Sequence, residues 1–483
     1  MTGEWTKERI AGCIQRWCFY NATVNSQRIL LISSNRCDQP YPVFPLGLAH
    51  LESALCHAGH TTYWLDAQAM TVPLEQALAE FQPNVIGISL RNVDDVQFQS
   101  RQTYFGDAVE LCQTLRRQCN CPIVVGGTAF SIFPEQLLTL TGADFGIHGP
   151  GEIAFNQLIE AIATGADPSG IRCLVYRRGE RAVVNPRDSA EPIYPDPAER
   201  PAELVDFYLR RSSMVNIQTQ RGCSLKCCYC TYPSIEGRRC RRRSPDAVAA
   251  ELGIIQRQGA KHVFITDSVF NTSAEHVADV CEAILQRNVE IQWSCFLRPK
   301  NLTQELMTLM ARAGLTHVEF GTDSFCDSVL EEYGKAFTFE DVLQSSELAR
   351  AADVHYAHFL ICGGPGETHE TLQTTFANAN RLRAAIIFAL AGMRVYPGTP
   401  LLARAQREGL LPADVDLLPP VYYISPALTE QELLRQLAEF KRQAPNWMIG
   451  ALPPSFIQLA ERLRQRGVVG PLWEYYASLQ RLT

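Results

Sequence analysis

The chain has 483 residues, 46% hydrophobic and 20% charged, an ordinary composition for a globular protein of two or three domains. A formal charge of −7 and a pI near 5.9 give no global basic field for nucleic acid or an anionic membrane. No apolar run approaches the length of a transmembrane segment, and the acid-bearing start MTGEWTKERIAGCIQRW does not resemble a secretory signal, so a cytoplasmic location is expected. The 17 cysteines are odd in number and scattered, which argues for reduced thiols over a disulfide framework. Most of them, such as Cys56, Cys112 and Cys281 in helical patterns, are expected as small buried hydrophobes.

A short helical extension is expected over residues 1–27. From residue 28 to 165 the apolar runs RILLISS, TTYWLDA, VIGISL, PIVVGG and DFGIHG alternate with amphipathic stretches such as GDAVELCQTLRRQ. Strands buried on both faces and separated by helices predict an α/β domain, a doubly wound parallel sheet of flavodoxin-like type. Residues 166–208 read as a hairpin turning near Arg178–Gly179, followed by the proline-rich linker DSAEPIYPDPAERPAE.

A second alternating series fills residues 209–410. Its strands are VNIQTQ, HVFITD, IQWSCF, HVEFGTD, HYAHFLICG and FALAGMRVYP, and Ser244, Ser273 and Thr303 are natural N-caps for the intervening helices. Six such units predict a partial (β/α)6 barrel, with ligands at the carboxyl ends of the strands. Residues 411–483 are expected to be helical.

The stretch RGCSLKCCYCTY follows the first strand of this series, at the rim where function is expected. Cys223, Cys227 and Cys230 are spaced C-x3-C-x2-C, with Cys228 between them. Zinc usually takes ligand pairs from two places, and no second Cys/His pair at zinc spacing follows. Thiolates also suit iron–sulfur clusters, where three ligands on four irons leave one iron open. A closed zinc knob and a chance cluster of thiols are the bland alternatives.

CSLKCCYC resembles the C-x3-C-x-aromatic-C signature of the radical S-adenosylmethionine (SAM) superfamily, with Tyr229 in the aromatic place. The resemblance implies a [4Fe–4S] cluster on Cys223, Cys227 and Cys230, with SAM chelating the open iron and cleaved to a hydrogen-abstracting 5′-deoxyadenosyl radical. Cys228 is then not a ligand. VFITDSVFN resembles the segment that places polar groups near SAM, implicating Asp267. VEFGTDS is similar to the fourth-strand G-x-E-S element, implicating Asp323 and Ser324, with Asp where Glu is usual. ICGGPGET is similar to the fifth-strand glycine element, implying that backbone at Gly363, Gly364 and Gly366 approaches the adenosine, and RVYPGTPL matches the sixth-strand end.

The first domain resembles the cobalamin-binding domain that precedes such barrels in the cobalamin-dependent radical SAM family. Ser89, Gly126 and Gly127 would line the slot for the nucleotide tail, and Gly149, Gly151 and Glu152 the loop after the fifth strand. The D-x-H-x-x-G motif that supplies an axial histidine is missing; Cys37-Asp38-Gln39 does not replace it. The resemblance implies three cofactors, a [4Fe–4S] cluster, SAM and cobalamin, and an electron donor of flavodoxin or ferredoxin type. It implies a methyltransferase acting on an unactivated carbon of a small-molecule or lipid intermediate, with cyclisation or rearrangement as the alternative. Transfer-RNA methylthiolation would need a second three-cysteine cluster and a basic RNA-binding module, and neither is present. A cobalamin-binding sensor would leave the ordered SAM-type loops unexplained.

The basic run RRCRRR, Arg238–Arg243, is expected as a solvated patch, with contact to the SAM carboxylate or an anionic substrate as the other reading. Tyr422, Tyr423, Trp447 and Trp473 are expected mainly in helix packing, and His317, His355 and His358 in core or surface roles.

Overall fold

The computed structural model describes residues 26–69, 72–187, 200–383 and 385–477. The expected N-terminal helix and most of the proline-rich linker lie outside these residues.

The first sheet is built from β1 (Arg28–Ser33), β2 (Thr61–Asp66), β3 (Val85–Ser89), β4 (Ile123–Gly126), β5 (Phe145–Ile147), β6 (Leu174–Arg178) and β7 (Arg181–Val184). Their order is β2-β1-β3-β4-β5-β6-β7, parallel through β5. The order reverses around β1, the switch point at whose carboxyl ends ligands bind in such sheets. Leu30, Ile32, Ile86 and Ile88 pack in one core while Ile29, Leu31 and Val85 pack in another, so both faces are covered. The continuous apolar runs follow from that double burial. The hairpin β6–β7 turns at Gly179, as read, but it is not part of a connector. It joins this sheet antiparallel to β5.

The second sheet comprises β8 (Val215–Ile217), β11 (His262–Ile265), β12 (Gln292–Leu297), β13 (Leu315–Asp323), β14 (His355–Cys362), β15 (Ile386–Ala391) and β18 (Trp447–Ile449), all parallel. Two short antiparallel pairs complete the strands: β9 (Gln220–Arg221) with β10 (Arg241–Arg242), and β16 (Met393–Arg394) with β17 (Tyr422–Tyr423). The seventh barrel strand, β18, corrects the all-helical expectation for the C-terminal region. Trp447 sits on it, buried in a core with Phe376 and Phe440. Ser244, Ser273 and Thr303 cap their helices by accepting from Ala247, His276 and Leu306 N–H groups. Among the described residues no helix is long and apolar enough to cross a membrane.

Buried polar contacts tie the two domains together. Asp94 pairs with Arg394 at 2.9 Å, Tyr208 donates to Asp66 at 2.9 Å, and Asn216 donates to the Phe44 carbonyl at 3.0 Å.

Candidate active site

The β9–β10 pair sets Arg221 opposite Arg241 and so closes the base of the cysteine loop. Asp267 secures the same place from beneath. Its carboxylate accepts from Thr219 N at 2.7 Å, Thr219 Oγ1 at 2.5 Å and Gln220 N at 3.2 Å. Burial pushes its pKa up to about 7 against those bonds. It is fully buried, and its bonds organise the backbone that leads into the cysteine loop.

A second grip comes from Tyr333-Gly334-Lys335, which sequence reasoning missed. The Cys228 N–H donates to the Tyr333 carbonyl at 3.0 Å. Gly334 lies so close to the loop that a Cβ there would come within 2.5 Å of the Lys226 carbonyl. The Lys335 ammonium lies 2.5 Å from Asp323, whose carboxylate also accepts from the Tyr229 hydroxyl at 2.6 Å. Burial opposes the charge on Lys335, but Asp323 and the neighbouring thiols outweigh it and raise its pKa. Asp323, left-handed at φ 69°, therefore stands beside the cysteine loop with its carboxylate engaged. Ser324 does not reach the loop. It is buried, pairs with Thr375 Oγ1 at 3.3 Å and accepts from Cys326 N.

The glycine element is also arranged differently from the expectation. Gly363 and Gly364 donate their amides to Glu367, which accepts from the Tyr333 hydroxyl as well, at 3.1 Å. A Cβ on Gly364 would come within 2.3 Å of the Tyr333 oxygen, and one on Gly366 within 2.7 Å of Glu332. These glycines thus allow the fifth-strand turn to close on the segment that grips the cysteine loop, and two of the amides expected near adenosine are occupied.

Cys223 is buried, and Cys227 and Cys230 are half-buried in one loop. Burial raises the Cys227 thiol, with Lys335 opposing, and pushes Cys230 up to about 12. Among the described residues no three His, Cys, Asp or Glu side chains close tightly enough to grip a single ion. The donor set fits an iron–sulfur cluster: three soft ligands in one loop, deprotonated as they bind metal. Cys228 instead lies 4.0 Å from the Met393 sulfur and packs against a core that both domains share.

Across the junction lies a cavity of about 310 Å³. Ser89, Gly126, Gly127, Gly149, Gly151 and Glu152 all line it, as do Gln218, Arg221, Tyr232 and Glu236 from the barrel side. Gly127 has φ 96°, and a Cβ there would meet the Leu90 carbonyl at 2.5 Å. Bare backbone at the carboxyl end of a switch-point sheet, widening into a cavity, fits a large planar cofactor with a phosphate-bearing tail. Glu152 pairs with Arg221 at 2.6 Å, linking the first domain to the residue before Gly222-Cys223. Burial opposes the Glu152 charge, but Arg221 holds its pKa below the usual carboxylate value. His50, passed over in the sequence, lines the same cavity and is held neutral by burial and by Arg221, with its pKa lowered to about 3.

Residues 217–379 match the radical SAM superfamily and residues 39–159 match the B12 binding domain, together more than half of the chain. The chain belongs to the cobalamin-dependent radical SAM family. It is 25% identical over 437 residues to tryptophan 2-C-methyltransferase of Streptomyces laurentii, covering 76% of this chain and 73% of that one. An uncharacterized methyltransferase of Pyrococcus horikoshii is 25% identical over 380 residues, covering 76% and 79%. Among solved structures, the radical SAM methyltransferase TsrM of Kitasatospora setae superposes with a TM-score of 0.82 at 23% identity, over 95% of this chain and 98% of that one. Against the cobalamin-dependent radical SAM enzyme OxsB the TM-score is 0.70 at 18% identity, over 83% and 64%.

The arginine run is only partly a solvated patch in this radical SAM protein. Arg238, Arg239 and Arg242 are exposed, but Arg243 is buried in a triad with Glu251 and Arg200. Trp473 donates from Nε1 to Glu319 at 3.1 Å, and His358 is a core residue bonded to Thr322 and Ser346.

Proposed function

We propose that the protein is a cobalamin-dependent radical SAM C-methyltransferase acting on an unactivated carbon of a small-molecule or lipid intermediate. One observation carries this reading: the cavity lined by the expected cobalamin residues is also lined by Arg221, Tyr232 and Glu236, which flank the cysteine trio on both sides. Two cofactor sites that share a wall can act on one substrate held between them. When bound, cobalamin supplies a transferable methyl group, and SAM supplies both that methyl and a hydrogen-abstracting radical.

The chain's own part is placement. Cys223, Cys227 and Cys230 hold the cluster. Asp267, Glu367 and Tyr333 fix the loop that carries it, and Lys335 with Asp323 sets the charge beside it. Ser89, the Gly126–Gly127 pair and Gly149 offer backbone to the cobalamin tail, while the Glu152–Arg221 pair ties the first domain to the base of the cysteine loop. An electron donor of flavodoxin or ferredoxin type and a cytoplasmic setting complete the reading.

Cyclisation is the alternative, because anaerobic magnesium-protoporphyrin IX monomethyl ester cyclase of Rubrivivax gelatinosus is 23% identical over 363 residues. Quantifying products from the anaerobically reconstituted protein separates the two. Methyl transfer yields S-adenosylhomocysteine together with 5′-deoxyadenosine, and rearrangement yields 5′-deoxyadenosine alone. Absence of S-adenosylhomocysteine at full cobalamin loading overturns the methyltransferase reading.

A further inference from the structure

In the barrel interior, half-exposed residues stand where a packed core is expected. On β13, Val318 and Phe320 join the outer core against the helices. Alternation therefore turns Glu319 and Gly321 inward, and the register shift between Phe320 and Asp323 interrupts the pattern beyond them. Mid-strand residues of a fully packed parallel barrel are buried, yet Phe296, Gly321, Phe359 and Phe388 are half-exposed. At the position of a Gly321 Cβ there is no atom within 4 Å. Space is thus left in the barrel interior at Gly321, a chamber to which Phe264, edge-on to Phe296, and Phe359, stacked on Phe388 at 4.5 Å, contribute aromatic faces.

Two carboxylates stand on β13, and they differ. Asp323 at the top is neutralised by Lys335 and bonded to Tyr229. Glu319 lies four residues lower, roughly 13 Å away along the strand. It is 6% exposed, it accepts from Trp473 Nε1 at 3.1 Å, Tyr41 lies within its field, and no ion pair to it is found among the described residues. Burial pushes its pKa up to about 7. A carboxyl withdrawn from water without a counter-charge either keeps its proton or meets a bound cation, and a ligand ammonium would supply the second.

We propose that Glu319 is a specificity residue that binds the protonated amine of an aromatic substrate lying in the barrel chamber. The aromatic walls suit a planar body and a cation over a ring face. The inference rests on the methyltransferase reading for the use of the chamber, but not for the affinity itself. The competing account is structural, with Glu319 serving only to anchor Trp473.

The test is calorimetric titration of the anaerobically reconstituted holoprotein with tryptamine and 2-phenylethylamine, and with their neutral counterparts tryptophol and 2-phenylethanol. The amines should bind at least roughly tenfold tighter than the alcohols, the scale of one charge-assisted hydrogen bond. Glu319→Gln should abolish that preference and leave SAM affinity and the cluster absorption unchanged. Trp473→Phe should keep the preference, and Gly321→Leu should weaken amines and alcohols alike by filling the chamber. Equal binding of amines and alcohols by the wild type, a preference that survives in Glu319→Gln, or a loss of SAM affinity in its place overturns the proposal. So does Trp473→Phe behaving like Glu319→Gln. Because the readout is binding, its failure leaves methyl transfer standing, and absent S-adenosylhomocysteine leaves the amine site standing.

Discussion

Glu367 lends itself to a quantitative test, because one of its oxygens receives all the bonds. Oε2 accepts from the Gly363 and Gly364 amides and from Tyr333, while Oε1 is buried with no partner among the described residues. Glutamine can therefore keep the three bonds and place its amide nitrogen where Oε1 was already unsatisfied. The folded pKa is raised from 4.5 to about 7, chiefly by burial. The unfolded carboxyl ionises near 4.5 but the folded one only near 7, so the folded state binds the extra proton in that window. Wild-type stability must therefore fall as pH rises from 4.5 to 7 and stay lower above it, by about 3 kcal/mol for a shift of this size. Glu367→Gln does not titrate. The difference in melting temperature, wild type minus variant, should fall across pH 5–8 by several degrees, at roughly 1–2 °C per kcal/mol for so long a chain. Glu52, Asp267 and Glu319 titrate upward in both proteins and cancel in the difference. Scanning calorimetry of the reduced protein at four pH values is sufficient. A pH-independent difference, or a wild type that gains on the variant as pH rises, refutes the assignment. Glu367→Ala strands three donors and should cost about 3–6 kcal/mol at every pH, with reduced iron retention on reconstitution.

Further outcomes follow from the same geometry. Cys223→Ala, Cys227→Ala and Cys230→Ala should each lose the brown chromophore and the bound iron, whereas Cys228→Ala, whose sulfur faces Met393, should keep most of both. Gly127→Ala forces a side chain into left-handed backbone and against the Leu90 carbonyl. Hydroxocobalamin titrated by visible absorption should then bind at least roughly tenfold more weakly than to wild type. Glu152→Gln removes the carboxylate that faces the buried Arg221 and should cost up to about 3–5 kcal/mol, while the double change Glu152→Met with Arg221→Met should recover much of the melting temperature.

The fold was largely legible because both sheets are parallel and buried on two faces, which writes each strand as an apolar run bounded by a cap or a glycine. Where pairing alone makes the strand, the pattern was silent. Trp447–Ile449 is three residues long and follows a proline, so only its partner β15 identifies it as a strand. The hairpin was readable from its turn, but its place on β5 was not, since alternation does not name a partner. In the site, the cysteines stood out by spacing within one loop. Tyr333, Gly334 and Lys335 meet that loop from more than a hundred residues away, and no local pattern marks them. At Asp267 and the Gly363–Gly364 turn a motif shows which polar groups are present, but not that Thr219 and Glu367 bind them.

Apolar clusters that run through both domains hold them together, and the buried charges at their junction bear on how two cofactor sites stay in register. Three buried polar pairs cross the junction: Glu152 with Arg221 beside the cysteine loop, Asp94 with Arg394 beyond β15, and Asp66 with Tyr208 behind β2. An apolar junction tolerates sliding, because one hydrophobic contact substitutes for another. A slip by one strand spacing here, about 5 Å, would instead leave two arginines and their acids unpaired in a dry interface. Such pairs add little net stability over apolar packing, so their value lies in allowing one arrangement only. The double methionine variant tests this directly. It should recover stability without recovering tight cobalamin binding, separating what holds the domains together from what aligns them.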